Sequence, residues 1–222
     1  MTIEPVAIFH SPISGKFGVP RQAGLAAELR GRIVFNAPYN NPDALRGMEG
    51  FDYLWLIWGF SMNAPSAEFK ATVRPPRLGG NERIGVFASR SPFRPNGLGL
   101  SSVRIDSIDF QKCEVTVLGA DLADGTPIYD VKPYVEYADS HCGVRNGFVD
   151  EKEWTELEVS VPENIASVLG KERTEALTSV LRQDPRPQYQ NDPERVYGLV
   201  FDGLDIRFRV KDGTAVILSG ES

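Results

Sequence analysis

Histidine and cysteine are scarce in this chain, two of each in 222 residues. Cys113 and Cys142 lie far apart without CxxC spacing, so a disulfide framework is not expected and a reducing compartment is. Together with His10 and His141 they make no metal-ligand spacing, and the adjacent His141-Cys142 reads as a loop pair without a metal. Long hydrophobic runs are lacking too. The longest, Tyr53 to Phe60, is too short to span a bilayer. The start, MTIEPVAIFHSP, has no basic segment ahead of an apolar one, so no signal peptide is expected. The expectation is a soluble, cytoplasmic protein that uses neither membrane nor metal. Missing as well are a GxGxxG opening a helix and a nucleophile elbow, which disfavours a Rossmann sheet and hydrolysis by a serine triad. Hydrophobic residues make up 41% of the chain, enough for a core, so disorder is excluded.

The net charge of −6 argues against nonspecific nucleic-acid binding, but the charge is uneven. Residues 1–110 hold 12 Lys/Arg against 9 Asp/Glu, whereas residues 111–222 hold 12 against 21. The cations of the first half are nearly all arginine and crowd into Arg74 to Arg94. An acidic protein with such a local basic face can still steer a polyanion.

The chain is organised around IGVFASRSPFRPNGLGLSSV, Ile84 to Val103. An apolar strand is expected at Ile84, Val86, Phe87 and Ala88. A loop follows, with Arg90, Arg94, two prolines and two glycines, and a strand resumes at Leu100 to Ile105. Proline and glycine constrain such a loop and let a ligand approach the backbone, while arginine forks suit carboxylate or phosphate.

Short strands divided by Gly/Pro turns are expected at 3–10, 31–35, 51–60, 101–108, 113–118 and 128–131, with a helical turn at Pro42 to Arg46. FDYLWLIWGF (51–60) is apolar on both faces, as a strand covered on both sides would be, and Trp55 and Trp58 are expected in the core. Residues 61–80 read as a long irregular connection. From Glu151 to Asp184 the apolar spacing is helical, and Gly170 divides it into two short helices. Asp202-Gly203 and Asp212-Gly213 then predict hairpins joining three strands. The fold class is therefore mainly β: a β-barrel domain over 1–145 and a small α+β domain over 146–222, two short helices with a three-strand meander.

Four loop clusters are candidates for chemistry: Pro20-Arg21-Gln22, Arg74 to Arg77, Arg90 to Gly99, and Leu122 to Pro127. The last offers Asp124 and backbone amides to a polar ligand, or else is a plain turn entering a strand. Asp184-Pro185-Arg186-Pro187 with Tyr189 is either a stiff linker or a rigid display of Arg186 and Tyr189.

The ordered set GVPRQAGL (18–25), GFDYLWLIWGF (50–60), TVRPPRLGG (72–80), GVFASRSPFRPNGLGLSSV (85–103), DLADGTPIYDVKPY (121–134) and DPRPQY (184–189) resembles the TsaA/TrmO-type (YaeB-type) tRNA methyltransferases, over nearly the whole chain. The resemblance implies a non-Rossmann β-barrel enzyme that uses S-adenosyl-L-methionine. Its substrate would be N6 of threonylcarbamoyladenosine beside the tRNA anticodon, and the protein would be a homodimer. By the same resemblance the donor would lie against Pro20, Arg21, Gln22, Ser61, Met62, Arg90, Leu100, Leu122, Ala123, Asp124, Gly125 and Thr126. Ser61-Met62 departs from the polar pair expected in close bacterial relatives.

An N6 joined to a carbamoyl carbon is a weak nucleophile, and Asp130, Tyr134, Asp184 and Tyr189 are candidates to take its proton. Arg74, Arg77, Arg83 and Arg94, with Lys70, are candidate phosphate contacts, and Arg186 is a candidate for the substrate carboxylate. Two other classes fit the residues: a non-catalytic module sensing an adenosyl cofactor or nucleotide, and an RNA-binding β-barrel.

Overall fold

The computed structural model describes residues 2–63, 68–75, 82–150, 155–186 and 192–221. Six strands close a barrel: β1 (Ala7–His10), β2 (Arg30–Phe35), β3 (Tyr53–Gly59), β6 (Leu98–Asp109), β7 (Glu114–Leu118) and β8 (Thr126–Pro133). Around it they run β1-β2-β7-β6-β3-β8, every neighbour antiparallel. Between β3 and β6 in sequence, β4 (Thr72–Val73) and β5 (Ile84–Gly85) pair as a separate ribbon.

Alternation fills the barrel. Val115 and Val117 of β7 are fully buried while the alternating Glu114 and Thr116 are not. Phe9, Ile33, Leu54, Leu56, Val103 and Ile128 complete the interior from the other strands. Two rings lie flat on glycines: a Cβ at Gly31 would come within 2.1 Å of Phe9, and one at Gly99 within 2.3 Å of Trp58. β6 is long enough to serve two neighbours, pairing β3 from Leu98 to Arg104 and β7 from Arg104 to Asp109, with a register shift between Ile105 and Ser107.

Three expectations are corrected here. Val86 to Ala88 form a 3-10 turn rather than a strand, and Phe87 is 69% exposed, because β4 begins at Thr72, opposite Gly85, and leaves them no ladder to join. The second face of β3 is only half covered: Trp55 donates to Asp139 and packs against Tyr134, while Tyr53 is exposed. The segment read as starting a helix at Glu151 instead holds a strand, β9 (Glu158–Ser160), ahead of α2 (Glu163–Leu169) and α3 (Lys171–Arg182). A four-residue helix, α1 (Glu136–Asp139), follows β8.

The C-terminal sheet therefore has four strands, ordered β10 (Tyr197–Phe201), β11 (Leu204–Lys211), β12 (Thr214–Glu221), β9, with β9 parallel to β12. Both Asp-Gly hairpins form, with φ positive at Asp202, Gly203, Asp212 and Gly213. This sheet and the helices enclose a second core built on Leu177, Leu181, Phe201, Ile206 and Phe208. That core is not self-contained. Ile13, Ala26 and Leu29, from the connection between β1 and β2, are buried in it, and Ile13 bridges to Phe201.

Candidate functional site at one mouth of the barrel

The antiparallel register brings the ends of β1, β3 and β7 and the starts of β2, β6 and β8 to one mouth. Three connections leave from it: 11–29, 60–97 and 119–125. Sequence-distant side chains meet there. Arg90 Nη1 donates to Gln22 Oε1, and Gln22 Nε2 donates to the Arg21 carbonyl at 2.6 Å. Ser61 Oγ and Thr126 Oγ1 stand 3.4 Å apart, and Thr126 Oγ1 donates to the Ala123 carbonyl. Leu100, opposite Ile57, is 59% exposed, and Met62 is also exposed.

Beneath this surface runs a buried relay. Trp58 Nε1 donates to Ser101 Oγ at 2.9 Å, and Ser101 Oγ donates to Asp121 Oδ1. Burial pushes the Asp121 carboxyl above its ordinary 3.8, opposed by the Ser101 hydrogen bond and more weakly by the Arg90 charge. Asp121 thus couples β3, β6 and the loop of Arg90. The motif reading missed it because DLADG reads as a turn; only the pairing of β3 with β6 buries that acid.

The family model of the tRNA-methyltransferase O N-terminal domain matches residues 8–140, and that of the TrmO C-terminal domain matches residues 155–221. The chain belongs to the tRNA-methyltransferase O family. A tRNA (adenine(37)-N6)-methyltransferase of Escherichia coli K12 is 39% identical over 219 residues, 94% of this chain and 93% of that one. A Pseudomonas aeruginosa relative, whose name describes an S-adenosylmethionine-dependent methyltransferase, is 38% identical over 93% of this chain and 91% of its own. The crystal structure of TrmO from Pseudomonas aeruginosa superposes with a TM-score of 0.80 at 29% identity, covering 100% of this chain and 99% of that one.

On this barrel the residues expected at the site do not all present what the sequence offered. The amides of Asp124 and Gly125 donate to the Ile13 and Phe9 carbonyls and that of Thr126 to the Ala123 carbonyl, so the DGT turn has no free amide for a ligand. The Asp124 carboxylate accepts from Ser11 N at 3.0 Å and faces His10 Nδ1 at 3.2 Å. Leu122 is in the barrel core, so Leu100 alone of that pair offers an open apolar surface. Arg94 braces its own loop, with Nη1 donating to the Ser89 and Val86 carbonyls and its guanidinium 5.7 Å from the Phe87 ring centroid. Arg74, Arg83 and Lys70 are exposed.

The three candidate proton acceptors among the described residues scatter. Asp130 lies four residues along β8 from Thr126, roughly 13 Å at the strand rise. Its Oδ1 accepts from the neighbouring Val131 N. Tyr134 is farther along the same direction, packed against Tyr53 and Trp55. Asp184 ends α3 with a left-handed φ of 45°, and its carboxylate takes both Nε and Nη2 of Arg186 at 2.8 and 2.9 Å. That hydrogen bond holds the Arg186 guanidinium still more firmly in its charged form. The fork expected for a substrate carboxylate is therefore engaged within the chain. Tyr189 and Arg77 lie outside the described residues. Among the described residues no three His, Cys, Asp or Glu are grouped to hold a metal, and no helix is long and apolar enough to cross a membrane.

Arg21 joins the two parts of the molecule. Its Nη2 donates to the Asp184 and Arg186 carbonyls, which ties the barrel mouth to the end of α3.

Proposed function

We propose that this chain is an S-adenosyl-L-methionine-dependent tRNA methyltransferase acting on N6 of adenine beside the anticodon, with threonylcarbamoyladenosine as the base and a cytoplasmic homodimer as the working form. The likeness to tRNA (adenine(37)-N6)-methyltransferase of Escherichia coli, running through both domains, is the observation that carries the reading.

The chemistry of the mouth fits such a donor, which combines a sulfonium, a carboxylate and an apolar adenine. Arg90 beside Gln22 supplies a cation for the carboxylate. Leu100 and Met62 supply apolar surface for the ring. When bound, the donor supplies an electrophilic methyl for in-line displacement. The protein's task is then to hold acceptor and donor in line, and the Arg90–Gln22 and Ser61–Thr126 contacts fix the loops that do so.

Exposed Arg74, Arg83 and Lys70, on and beside the β4–β5 ribbon, suit phosphate contacts. Each one lost should flatten the salt dependence of tRNA binding by roughly one unit of slope. The stacked Phe69 and Phe87 flanking this ribbon, 63% and 69% exposed, are apolar surface suited to a second copy of the chain.

The test is methyl transfer to tRNA carrying or lacking the threonylcarbamoyl group, read by mass spectrometry of anticodon-loop nucleosides. The expected result is a gain of one methyl on the modified base only. Arg90→Ala should raise the donor KM by about tenfold or more, as loss of a charge-assisted contact does. Absence of transfer to either tRNA would overturn the reading.

A further inference from the structure

The Trp58–Ser101–Asp121 relay has a fixed direction. An indole nitrogen only donates, so Ser101 Oγ accepts from Trp58 and directs its own hydrogen to Asp121 Oδ1. The carboxyl is thereby anchored to β6, at the residue after Leu100. On its other side stands the segment that carries Gln22. Gly24 N donates to the Gly119 carbonyl at 2.8 Å, and the Ala23 amide is turned toward the Asp121 carboxyl. The approach is close: a Cβ on Gly119, whose φ is +75°, would stand 3.3 Å from the Gly24 Cα. Residues 23 and 24 are thus strapped to 119–121, and the strap places Gln22 just before them.

Gln22 in turn receives Arg90 Nη1. Arg90 is exposed and forms no ion pair among the described residues, so its charge is open to an incoming anion. Asp121 attracts it, but burial favours the neutral acid, and the carboxyl does not take the guanidinium as an ion-pair partner. Leu100 depends on a different support. The β3–β6 ladder holds it opposite Ile57.

We propose that Asp121 is a positioning residue for the methyl donor: anchored by Ser101, it pins the Gln22 segment and so sets Arg90 where the donor's carboxylate arrives. The assignment rests on the reading of the mouth as the donor site and deepens it, by naming the group that aligns the arginine. Asp121 acts through Gln22 and Arg90 on the carboxylate end of the donor, and the adenine end is left to Leu100.

The experiment is calorimetric titration of the full chain with two ligands. S-adenosylhomocysteine carries the carboxylate, and 5′-methylthioadenosine has the same adenine and sulfur without it. The wild-type protein should bind S-adenosylhomocysteine at least about tenfold more tightly, the worth of a charge-assisted contact. Asp121→Ala and Ser101→Ala should each cut that preference about five- to tenfold, while 5′-methylthioadenosine affinity stays within about twofold. A folding defect would weaken both ligands, and if one variant does not fold the other carries the test. Arg90→Ala should abolish the preference. Adding Asp121→Ala to it should change S-adenosylhomocysteine affinity by less than about twofold, the non-additivity of residues that act through one another. A preference unchanged in both Asp121→Ala and Ser101→Ala, an equal loss of both ligands, or full additivity with Arg90→Ala overturns the assignment. Should that happen while Arg90→Ala alone abolishes the preference, the donor site stands without Asp121. If Arg90→Ala leaves the preference intact, the donor-site reading fails and the assignment fails with it.

Discussion

Burial, a serine hydroxyl and the charge of Arg90 pull on the Asp121 proton in opposite directions, and burial dominates. The folded chain therefore keeps that proton at pH values where the unfolded chain, with its carboxyl near 3.8, has released it. In this window the native state binds more protons, so stability falls as pH rises from about 3.8 through the raised folded value. Asp121→Asn keeps an oxygen for Ser101 and cannot ionise. Its urea midpoint should lack that downward component, leaving the variant no less stable than the wild type at neutral pH. Parallel pH profiles for the two proteins between pH 4 and 8 would contradict this. Nothing local in the sequence marks Asp121 over Asp124, three residues on. The difference is that Asp121 meets Ser101 under Trp58, while Asp124 turns outward toward His10.

At the scale of the elements, the barrel depends on glycine where rings lie flat. Gly99→Ala would drive a methyl into the Trp58 indole and Gly31→Ala one into the Phe9 ring. Each should cost about 1–3 kcal/mol by overpacking, measured by denaturant unfolding. Gly99→Ala should also shift Trp58 fluorescence, because that indole is positioned by its bond to Ser101. An unchanged midpoint in both variants would show that the rings move aside freely. Period-two alternation made β7 and β11 legible in the sequence, since their burial follows the pleat. Such a local signal was missing for β9. Its three residues gain their ladder from β12, more than fifty positions downstream, and its one glutamate blends into the helical segment that follows. The strand expected at Val86 to Ala88 fails for the converse reason: apolar residues were present, but β4 begins at Thr72, opposite Gly85, and has no residue to pair with them.

For the whole molecule, the connection 11–29 makes the barrel and the C-terminal part mechanically one. Ile13 is 0% exposed, within the C-terminal core, although the β1–β2 connection carries it. Ile13→Ala should lose about 2–5 kcal/mol, as buried isoleucine truncations do, and should lower the unfolding of both parts together. Barrel and C-terminal probes, Trp58 fluorescence and protection of the α3 amides, are expected to report a single shifted transition. Two separated transitions would show that the parts are held independently. The sequence boundary near residue 145 follows a change of composition, and composition does not record that one connection supplies side chains to the far core.

From the residues alone came the mainly-β class, the two helices divided at Gly170 and both Asp-Gly hairpins. All of these are written in near-neighbour patterns: alternation, helical spacing, and turns whose backbone only certain residues adopt. The tertiary structure decided the rest. It brought Gln22 to Arg90 and Ser61 to Thr126, buried Asp121, and paired Asp184 with Arg186. Those outcomes depend on barrel closure and on distances between residues far apart in the chain, which no local pattern encodes.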